Sequence, residues 1–312
     1  MKHFLSIQDI DSLPDWVDQA LELKKDPYRF EKLGRHKTLC LLFFNNSLRT
    51  RLSTQKAALQ LGMEVLVMNF GNEGWALEYG DGTRMDQGTS EHIKEAAQVV
   101  SQYCDIVAIR AFATLEDRER DRAEEVLGGF ARYASIPVVN LESSTGHPLQ
   151  ALADALTLAE HRPPHRPKVV LSWAPHPKAL PHAVANSFVE MMKLQDAEFT
   201  ITHPKGYELD PEIARGCHVE YDQALALRDA DFVYVKNWSA YGEYGKVLSK
   251  DPGWTMTAEK LGTAKFMHCL PVRRNVVVED AVLDGTRSLV AQQAKNRVFA
   301  AQIVLKKILE AQ

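Results

Sequence analysis

The feature that most constrains the fold is a strand, a helix and a second strand that follow one another near the N-terminus. Thr38–Phe44 is an apolar run without a charge, which indicates a buried strand. Apolar residues then recur at helical spacing from Leu52 to Leu61, and Glu64–Asn69 is again strand-like. Consecutive strands joined by a helix lie parallel with a right-handed crossover, so the sequence predicts a parallel α/β sheet.

The same alternation continues along the chain. Further strands are predicted at Asp105–Ile109, Pro137–Leu141, Lys168–Trp173, Glu198–His203, Asp231–Val235 and Lys265–Cys269. Helices are predicted at Leu13–Lys24, from Ser90 onward, and at Ala151–Leu158, Ala183–Met192 and Ala291–Leu309. The mixed-charge run Glu116–Glu125 predicts a solvated helical face. The expected fold class is α/β, with two doubly wound domains that each contain a parallel sheet flanked by helices.

A proline-rich segment suggests where the domains meet. His161–Pro167 contains three prolines in seven residues, which interrupts the regular pattern. The chain has 312 residues, a length that suits two domains. We therefore expect a first domain at 1–160, a second at 161–290, and a C-terminal helix at 291–312 that packs back on the first domain.

Composition narrows the class of protein. Hydrophobic residues make up 45% and charged residues 25%, and the net charge of −4 provides no electrostatic footprint for nucleic acid. No apolar run is long enough to span a membrane, and the N-terminus does not resemble a secretory signal. The four cysteines are scattered without a CxxC pair, so we expect reduced thiols, no metal site and a cytoplasmic protein.

The turn between the first strand and its helix is the first candidate site. Ser47, Arg49, Thr50 and Arg51 lie there, where a helix N-terminus presents unpaired N–H groups and a partial positive charge. Arginines and hydroxyls at such a position can hold a phosphate dianion, although an N-capped surface helix with solvated arginines is the plainer alternative. The position beyond a strand's carboxyl end favours the functional interpretation. The glycines of a nucleotide-binding P-loop are absent.

Other polar residues follow predicted strands. Arg110 and Glu142 each end a strand, and His147 and Gln150 lie at the start of the next helix. A lone histidine is more often structural than catalytic. Because these residues are expected to face the same crevice as Arg49, the group as a whole predicts a binding site.

The long glycine-rich segment Phe70–Gly88 is a further candidate. Loops of this length without their own secondary structure are often functional. Trp75 within it can pack down as an anchor or reach a ligand in this subunit or a neighbouring one. Ser90, just beyond it, is predicted to cap the next helix.

Three short motifs together resemble the aspartate and ornithine carbamoyltransferases. They are Ser-Leu-Arg-Thr-Arg at 47–51, His-Pro-Leu-Gln at 147–150 and His-Cys-Leu-Pro at 268–271. The resemblance covers nearly the whole chain and implies a carbamoyl phosphate domain followed by an amine-substrate domain. It also implies a homotrimer with active sites shared between subunits and no metal or organic cofactor.

The resemblance assigns roles to individual residues. The carbamoyl phosphate ligands it implies are Ser47, Leu48, Arg49, Thr50, Trp75 from the adjacent subunit, Arg110, His147, Gln150 and Leu270. The catalytic residues it implies are Arg110, His147, Gln150 and Cys269. Arg110 and His147 would polarise the carbonyl oxygen, while Gln150 and the carbonyl of Leu270 would hold the carbamoyl NH2.

The amine is indicated by what the second domain lacks. The Asp-x-x-x-Ser-Met-Gly segment that grips free ornithine is absent, and Lys236-Asn237-Trp238-Ser239 stands in its place. A lysine suits a carboxylate beside a blocked α-nitrogen, which resembles the N-acylornithine branch of the family. The amine-substrate ligands it implies are Ser90, Glu142, His176, Lys236, Cys269, Leu270 and Arg274.

Ser90 is expected to decide the acyl group. Enzymes of the acetylornithine branch typically carry glutamate at this position, and a carboxylate there would repel a succinyl carboxylate. Ser90, together with Val277 where that branch has lysine, favours N-succinyl-L-ornithine, with N-succinyl-L-citrulline and phosphate as products in arginine biosynthesis. N-acetylornithine is the alternative amine, and an inactive anion-binding relative is the second alternative. Ser90 could also serve only as a helix cap.

Overall fold

The computed structural model describes all residues from Met1 to Gln312. The strands are β1 Thr38–Phe43, β2 Glu64–Asn69, β3 Leu77–Glu78, β4 Glu91–His92, β5 Ile106–Arg110, β6 Val138–Glu142, β7 Lys168–Trp173, β8 Glu198–Thr202, β9 His218–Glu220, β10 Phe232–Lys236 and β11 Lys265–Met267. The helices are α1 Leu13–Lys25, α2 Arg49–Gln60, α3 Phe70–Glu73, α4 Ile93–Val100, α5 Arg118–Arg122, α6 Glu125–Tyr133, α7 Pro148–Glu160, α8 Ala183–Met192, α9 Pro211–Ala214, α10 Gln223–Leu227, α11 Ala258–Leu261, α12 Asp280–Leu283 and α13 Val290–Glu310. Short 3-10 helices occur at Ile7–Asp9 and Pro252–Trp254.

The chain divides into two compact units. Unit 1 comprises Met1–Thr114, Arg118–Leu149 and Arg297–Gln312, and unit 2 comprises Leu115–Asp117 and Gln150–Asn296. Each unit contains one large parallel sheet with helices between its strands, and unit 1 also contains the two-stranded parallel pair of β3 and β4. The predicted α/β class is therefore confirmed.

The sheet of unit 1 has the order β2-β1-β5-β6, and all its strands are parallel. β1 and β5 form its centre, and their apolar side chains are buried because the sheet is covered on both faces. β5 and β6 end side by side, with Arg110 in register with Glu142 next to a local irregularity of the ladder. Polar residues at these strand ends therefore share one edge of the sheet.

The sheet of unit 2 has the order β11-β10-β7-β8-β9, again with parallel pairing throughout. The chain runs outward from β7 to β9 and then returns to the other side of β7 with β10. The strand order thus reverses between β7 and β10, where Trp173 and Lys236 are in register. Such a reversal opens a crevice at the carboxyl ends of the strands, a usual place for ligands.

The segment predicted as one long loop contains short regular elements. Phe70–Glu73 is helical, and Leu77–Glu78 pairs in parallel with Glu91–His92. The prediction that Ser90 caps α4 is wrong, because this pairing keeps the chain extended through His92. His92 is the N-cap instead, and its Nδ1 accepts the backbone N–H of Lys94 at 3.2 Å.

The mixed-charge segment after β5 also differs from expectation. It forms two helices, α5 and α6, separated by Glu124 in the left-handed conformation with φ of 50°. Asp121 is buried rather than solvated and accepts the backbone N–H of Thr114 at 2.9 Å. The charged side chains of this segment therefore stabilise the local fold through hydrogen bonds as well as facing solvent.

Candidate active site

The turn before α2 presents a helix N-terminus to unit 1's strand ends. α2 begins at Arg49, and its N-cap, Leu48, provides no side-chain hydrogen bond to the first turn. The first N–H groups of the helix therefore remain available to an anion. Arg49 is half-buried, and its Nε is enclosed without a hydrogen-bond partner, whereas the side chain of Leu48 is 65% exposed.

The strand-end residues of unit 1 form one cluster. Arg110 Nε donates to Glu142 Oε2 at 3.2 Å, and His147 Nε2 lies 3.5 Å from the same carboxylate oxygen. All three side chains are buried. Burial lowers the pKa of Arg110, an effect that Glu142 opposes and the nearby charge of Arg49 reinforces. These contacts are consistent with the prediction that Arg110, Glu142 and His147 face a shared crevice.

Arg110 also organises the turn before α2. Its Nη1 donates to the backbone carbonyls of Asn45, at 3.3 Å, and of Asn46. Asn45 Oδ1 in turn accepts the backbone N–H of Phe112 at 2.7 Å, and the guanidinium lies 3.9 Å from the centre of the Phe112 ring. The end of β5 is thereby tied to the end of β1.

Arg297 joins this cluster from the C-terminal helix, and the sequence analysis missed it. Its Nη2 donates to Thr50 Oγ1 at 2.6 Å and lies 3.3 Å from His147 Nε2. A sequence signal did exist, because Arg297 falls on the apolar stripe of α13 together with the buried residues Ala300, Ala301 and Val304. An arginine on a buried stripe indicates either a structural ion pair or a ligand site.

Gln150 and Cys269 lie in unit 2, in polar surroundings. Gln150 is buried, and its Nε2 donates to Asp154 Oδ1 at 2.7 Å. Tyr234 is fully buried with its phenol beside Asp154 and Cys269, and burial followed by the charge of Asp154 raises its pKa well above the usual value. Cys269 itself is half-buried.

The backbone after β11 adopts an uncommon conformation. Leu270 has a φ of 59°, in the left-handed region that a leucine side chain disfavours, and it precedes a cis proline. Its N–H donates to His268 Nδ1 at 2.8 Å. A non-glycine residue with a positive φ persists where surrounding contacts hold it, often at ligand sites.

A cavity of about 630 Å³ in unit 2 is lined by two of the predicted amine-substrate residues, His176 and Arg274. His176 and Arg273 line it together with Lys250 and Arg274. Arg273 Nε donates to His176 Nε2 at 3.0 Å, so that nitrogen carries no proton. Burial lowers the pKa of His176, and the charges of Arg273 and Lys236 lower it further, which favours the neutral imidazole.

Lys236 and Arg274 are placed differently from each other. Lys236 is buried at the end of β10 and belongs to none of the ion pairs of the structure. Arg274 is committed to two carboxylates, at 2.8 Å from Asp280 Oδ1 and 2.6 Å from Asp284 Oδ1. The neighbouring Arg273, which the sequence analysis did not select, has its guanidinium at His176 instead.

Trp75 and Ser90 are exposed residues of the β3–β4 region. Trp75 Nε1 donates to Glu91 Oε2 at 2.7 Å, while 56% of the tryptophan remains accessible. The Ser90 N–H donates to the carbonyl of Ala76 at 3.0 Å. Neither residue contacts the clusters described above.

Two further properties concern the whole chain. No group of three or more His, Cys, Asp or Glu side chains has an arrangement that could bind a metal ion. None of the helices combines the length and apolar character required to cross a membrane.

Family models and known proteins match nearly the entire chain. The model described as "Aspartate/ornithine carbamoyltransferase, carbamoyl-P binding domain" matches residues 2–160, and the corresponding "Asp/Orn binding domain" matches residues 181–308. N-succinylornithine carbamoyltransferase from Bacteroides thetaiotaomicron is 49% identical over 99% of both chains. N-acetylornithine carbamoyltransferase from Xanthomonas campestris pv. campestris is 36% identical over 98% of this chain and 97% of its own length.

Solved structures agree with this likeness. Acetylornithine transcarbamylase complexed with acetylcitrulline has a TM-score of 0.92 and 34% identity, with 99% of both chains covered. A glutamate-to-serine variant of N-acetyl-L-ornithine transcarbamylase, complexed with carbamyl phosphate and N-succinyl-L-norvaline, has a TM-score of 0.91 and 34% identity over 99% of this chain and 100% of its own. The chain therefore belongs to the aspartate/ornithine carbamoyltransferase family.

Proposed function

We propose that this enzyme transfers the carbamoyl group of carbamoyl phosphate to the side-chain amine of N-succinyl-L-ornithine. The products are N-succinyl-L-citrulline and phosphate, and the reaction serves arginine biosynthesis. In this proposal residues 1–160 bind carbamoyl phosphate, residues 161–290 bind the amine, and the C-terminal helix at 291–312 completes the first domain. The enzyme needs no metal or organic cofactor and acts in the cytoplasm.

The buried cluster of Thr50, Arg110, His147 and Arg297 is the observation that carries the proposal. It gathers two guanidiniums, a hydroxyl and an imidazole beside the N-terminus of α2, a combination suited to an acyl phosphate with both an anionic and a carbonyl part. Ser47, Leu48, Arg49 and Thr50 hold the phosphate, and Arg110 and His147 face the carbonyl oxygen.

The chemistry needs positioning and electrostatics rather than a covalent intermediate. The neutral amine forms a C–N bond to the carbonyl carbon, the C–O bond to phosphate breaks, and the amine's surplus proton leaves on hydrogen phosphate. Negative charge grows on the carbonyl oxygen in the tetrahedral transition state, where Arg110 and His147 stabilise it. Glu142 holds Arg110 in place through its ion pair at 3.2 Å.

Two cationic side chains of unit 2, Lys236 at the end of β10 and Arg273 in the cavity, support an N-acylated amino acid with two carboxylates. Lys236 is a buried ammonium without an acidic partner, and Arg273 lies against the neutral imidazole of His176. A buried cation is normally paired, so Lys236 suits a carboxylate supplied by a ligand, and the exposed guanidinium of Arg273 is accessible to a second one. We propose Arg273 for this role in preference to Arg274, whose guanidinium already binds Asp280 and Asp284.

Ser90 supports succinyl over acetyl as the acyl group. An exposed serine there presents no charge against a succinyl carboxylate, whereas a glutamate would repel it. Variants of N-acetyl-L-ornithine transcarbamylase in which one glutamate is replaced by an uncharged residue, serine among them, are complexed with N-succinyl-L-norvaline. The 49% identity to an N-succinylornithine carbamoyltransferase points the same way.

We propose a homotrimer in which Trp75 completes the carbamoyl phosphate site of a neighbouring subunit. α2 supports an interface between copies, because Leu48, Leu52 and Leu59 lie on one helical face and are 65%, 58% and 62% exposed. Exposed leucines in a row are typical of a surface that becomes covered by protein.

Product analysis tests the proposed reaction. The purified enzyme is mixed with carbamoyl phosphate carrying ¹³C and with N-succinyl-L-ornithine, and the products are identified by mass spectrometry. We expect labelled N-succinyl-L-citrulline in a one-to-one ratio with released phosphate. Anion binding without any labelled ureido product, from this or another ornithine derivative, would instead identify an inactive relative.

A further inference from the structure

A fully buried carboxylate lies directly behind Gln150. Asp154, one helical turn further along α7, is 0% exposed. Its Oδ1 accepts Nε2 of Gln150 at 2.7 Å and Nε2 of Gln293, from α13, at 2.6 Å. One carboxylate oxygen therefore receives two side-chain amides, and Tyr234 places its phenol against the same group.

A carboxylate oxygen that accepts these bonds determines which way each amide faces. A glutamine amide has a donor end and an acceptor end of nearly equal shape, so only its partners set its orientation. Because Asp154 Oδ1 accepts, both glutamines must turn NH2 toward it and their carbonyl oxygens away. For Gln293 the result is visible, since its Oε1 accepts the backbone N–H of His268 at 3.0 Å.

The carbamoyl group differs from an acetyl group only by NH2 in place of CH3. Recognition of that NH2 needs acceptors, and the proposed ones are the side-chain carbonyl of Gln150 and the backbone carbonyl of Leu270. Asp154 holds both acceptors in place. It binds Gln150 directly, and Gln293 connects it to the backbone of His268. The Nδ1 of His268 in turn accepts the N–H of Leu270 at 2.8 Å. If the side-chain amide of Gln150 were turned the other way, its NH2 would face the substrate NH2, and two donors would meet without an acceptor.

We propose that Asp154 is the positioning residue that makes this enzyme select a carbamoyl over an acetyl group, by holding the amide of Gln150 with its oxygen toward the substrate NH2. The inference rests on the proposed function, which assigns Gln150 to the carbamoyl NH2. Asp154 itself does not touch the substrate. Its effect is therefore confined to ligands that carry the NH2 group.

The test uses two stable inhibitors that differ only at that group, phosphonoacetamide and acetonylphosphonate. In the Asp154→Asn variant the new NH2 can donate to Gln150 Oε1 and reverse the amide. We expect its inhibition constant for phosphonoacetamide to rise by about 10- to 100-fold, the size typical of losing an orienting partner, and that for acetonylphosphonate to stay within about twofold. Gln293→Met should raise the inhibition constant for phosphonoacetamide selectively as well, by a smaller factor. This second variant tests the proposal if Asp154→Asn does not fold.

Glu160→Gln is the matched control. Glu160 lies on the same helix, and its Oε2 also accepts two amides from α13, those of Gln292 at 2.9 Å and Asn296 at 2.8 Å. Glu160 lies six residues further along α7 than Asp154, so this variant should keep the wild-type preference for phosphonoacetamide.

The outcomes separate the two proposals. Wild-type preference for the amide that survives in Asp154→Asn and Gln293→Met would overturn the role of Asp154 and leave the proposed function standing. A wild-type enzyme that does not distinguish the two inhibitors would overturn the assignment of Gln150, and the inference would fall with it.

Discussion

The two compact units hold their candidate site residues in different ways. In unit 1, a buried network is linked by contacts of 2.6–3.5 Å that run from Thr50 through Arg297, His147 and Glu142 to Arg110. In unit 2, His176 and Arg273 line an open cavity of about 630 Å³. The first arrangement suits a small anion of fixed shape, and the second suits a longer and more variable molecule.

The difference reflects what each ligand requires. A phosphate dianion is satisfied by one helix N-terminus and a few nearby donors, which a short stretch of chain can supply. An acylated amino acid has charged groups several bonds apart, so its ligands come from separate strand ends. We therefore expect substitutions in one set of residues to affect one substrate and leave the other nearly unchanged.

Arg49→Ala should have the largest effect. Removal of this charge at the N-terminus of α2 should lower kcat/KM for carbamoyl phosphate about a thousandfold, as for the loss of a transition-state donor. Steady-state kinetics measures it, with size-exclusion chromatography to show unchanged assembly. Arg51→Ala is the control, because Arg51 donates to Asn69 Oδ1 at 2.8 Å instead. Similar losses in both variants would mean that the phosphate assignment of Arg49 is wrong.

Acid should destabilise the protein through His182 of unit 2. Burial lowers the pKa of this side chain to about 4 from 6.5. The unfolded state then binds more protons between these values, so stability is complete above pH 6.5 and falls as the pH drops toward 4. The loss reaches roughly 3 kcal/mol at 1.36 kcal/mol per pKa unit.

Denaturant melts of wild type and His182→Gln at pH 7 and pH 4 check this linkage. The wild type should lose more unfolding free energy between the two pH values than the variant does. Parallel pH profiles would show that another group carries the acid sensitivity of this unit.

Arg273→Ala should weaken the amine substrate selectively. Loss of a guanidinium that binds a carboxylate should raise KM for N-succinyl-L-ornithine about 100-fold, within the range for truncating one partner of a charge pair that the bound ligand covers. KM for carbamoyl phosphate should stay constant. Arg274→Ala, which loses ion pairs to Asp280 and Asp284, should lower the melting temperature and leave both KM values nearly unchanged. The reverse pattern would restore Arg274 as the ligand.

Ser90→Glu should have the smallest effect among these variants. The new carboxylate should reduce the ratio of kcat/KM for N-succinylornithine to that for N-acetylornithine by about tenfold or more, through like-charge repulsion. Ser90→Gln has nearly the same size without the charge and should retain the ratio. Equal behaviour of the two variants would place the acyl group elsewhere.

The sequence predicted the fold and the residues of unit 1 better than those of unit 2. Strand ends such as Arg110 and Glu142 follow directly from the alternation of strands and helices, because parallel strands end at one edge. Arg297 escaped notice because it lies 247 residues from Thr50 in the chain, although the structure brings the two to 2.6 Å. Only tertiary folding could reveal that contact.

Two adjacent arginines show a second limit of what the sequence alone can predict. Arg273 and Arg274 are chemically alike and both line the cavity, and the local sequence does not determine which one is bound by neighbouring carboxylates. The aspartates at 280 and 284 capture one guanidinium, and the turn directs the other to His176. The N-cap of α4 could not be predicted for a similar reason. It is His92 rather than Ser90 because a strand pair only two residues long keeps the chain extended through His92.

The most direct test of the account is carbamoyl transfer to ornithine, N-acetylornithine and N-succinylornithine under identical conditions, with kcat/KM determined for each. We expect clear preference for N-succinylornithine, because Lys236 and Arg273 suit two carboxylates and Ser90 repels neither. Preference for N-acetylornithine would contradict the role of Ser90 and keep that of Lys236. Preference for free ornithine would contradict the account of unit 2 altogether.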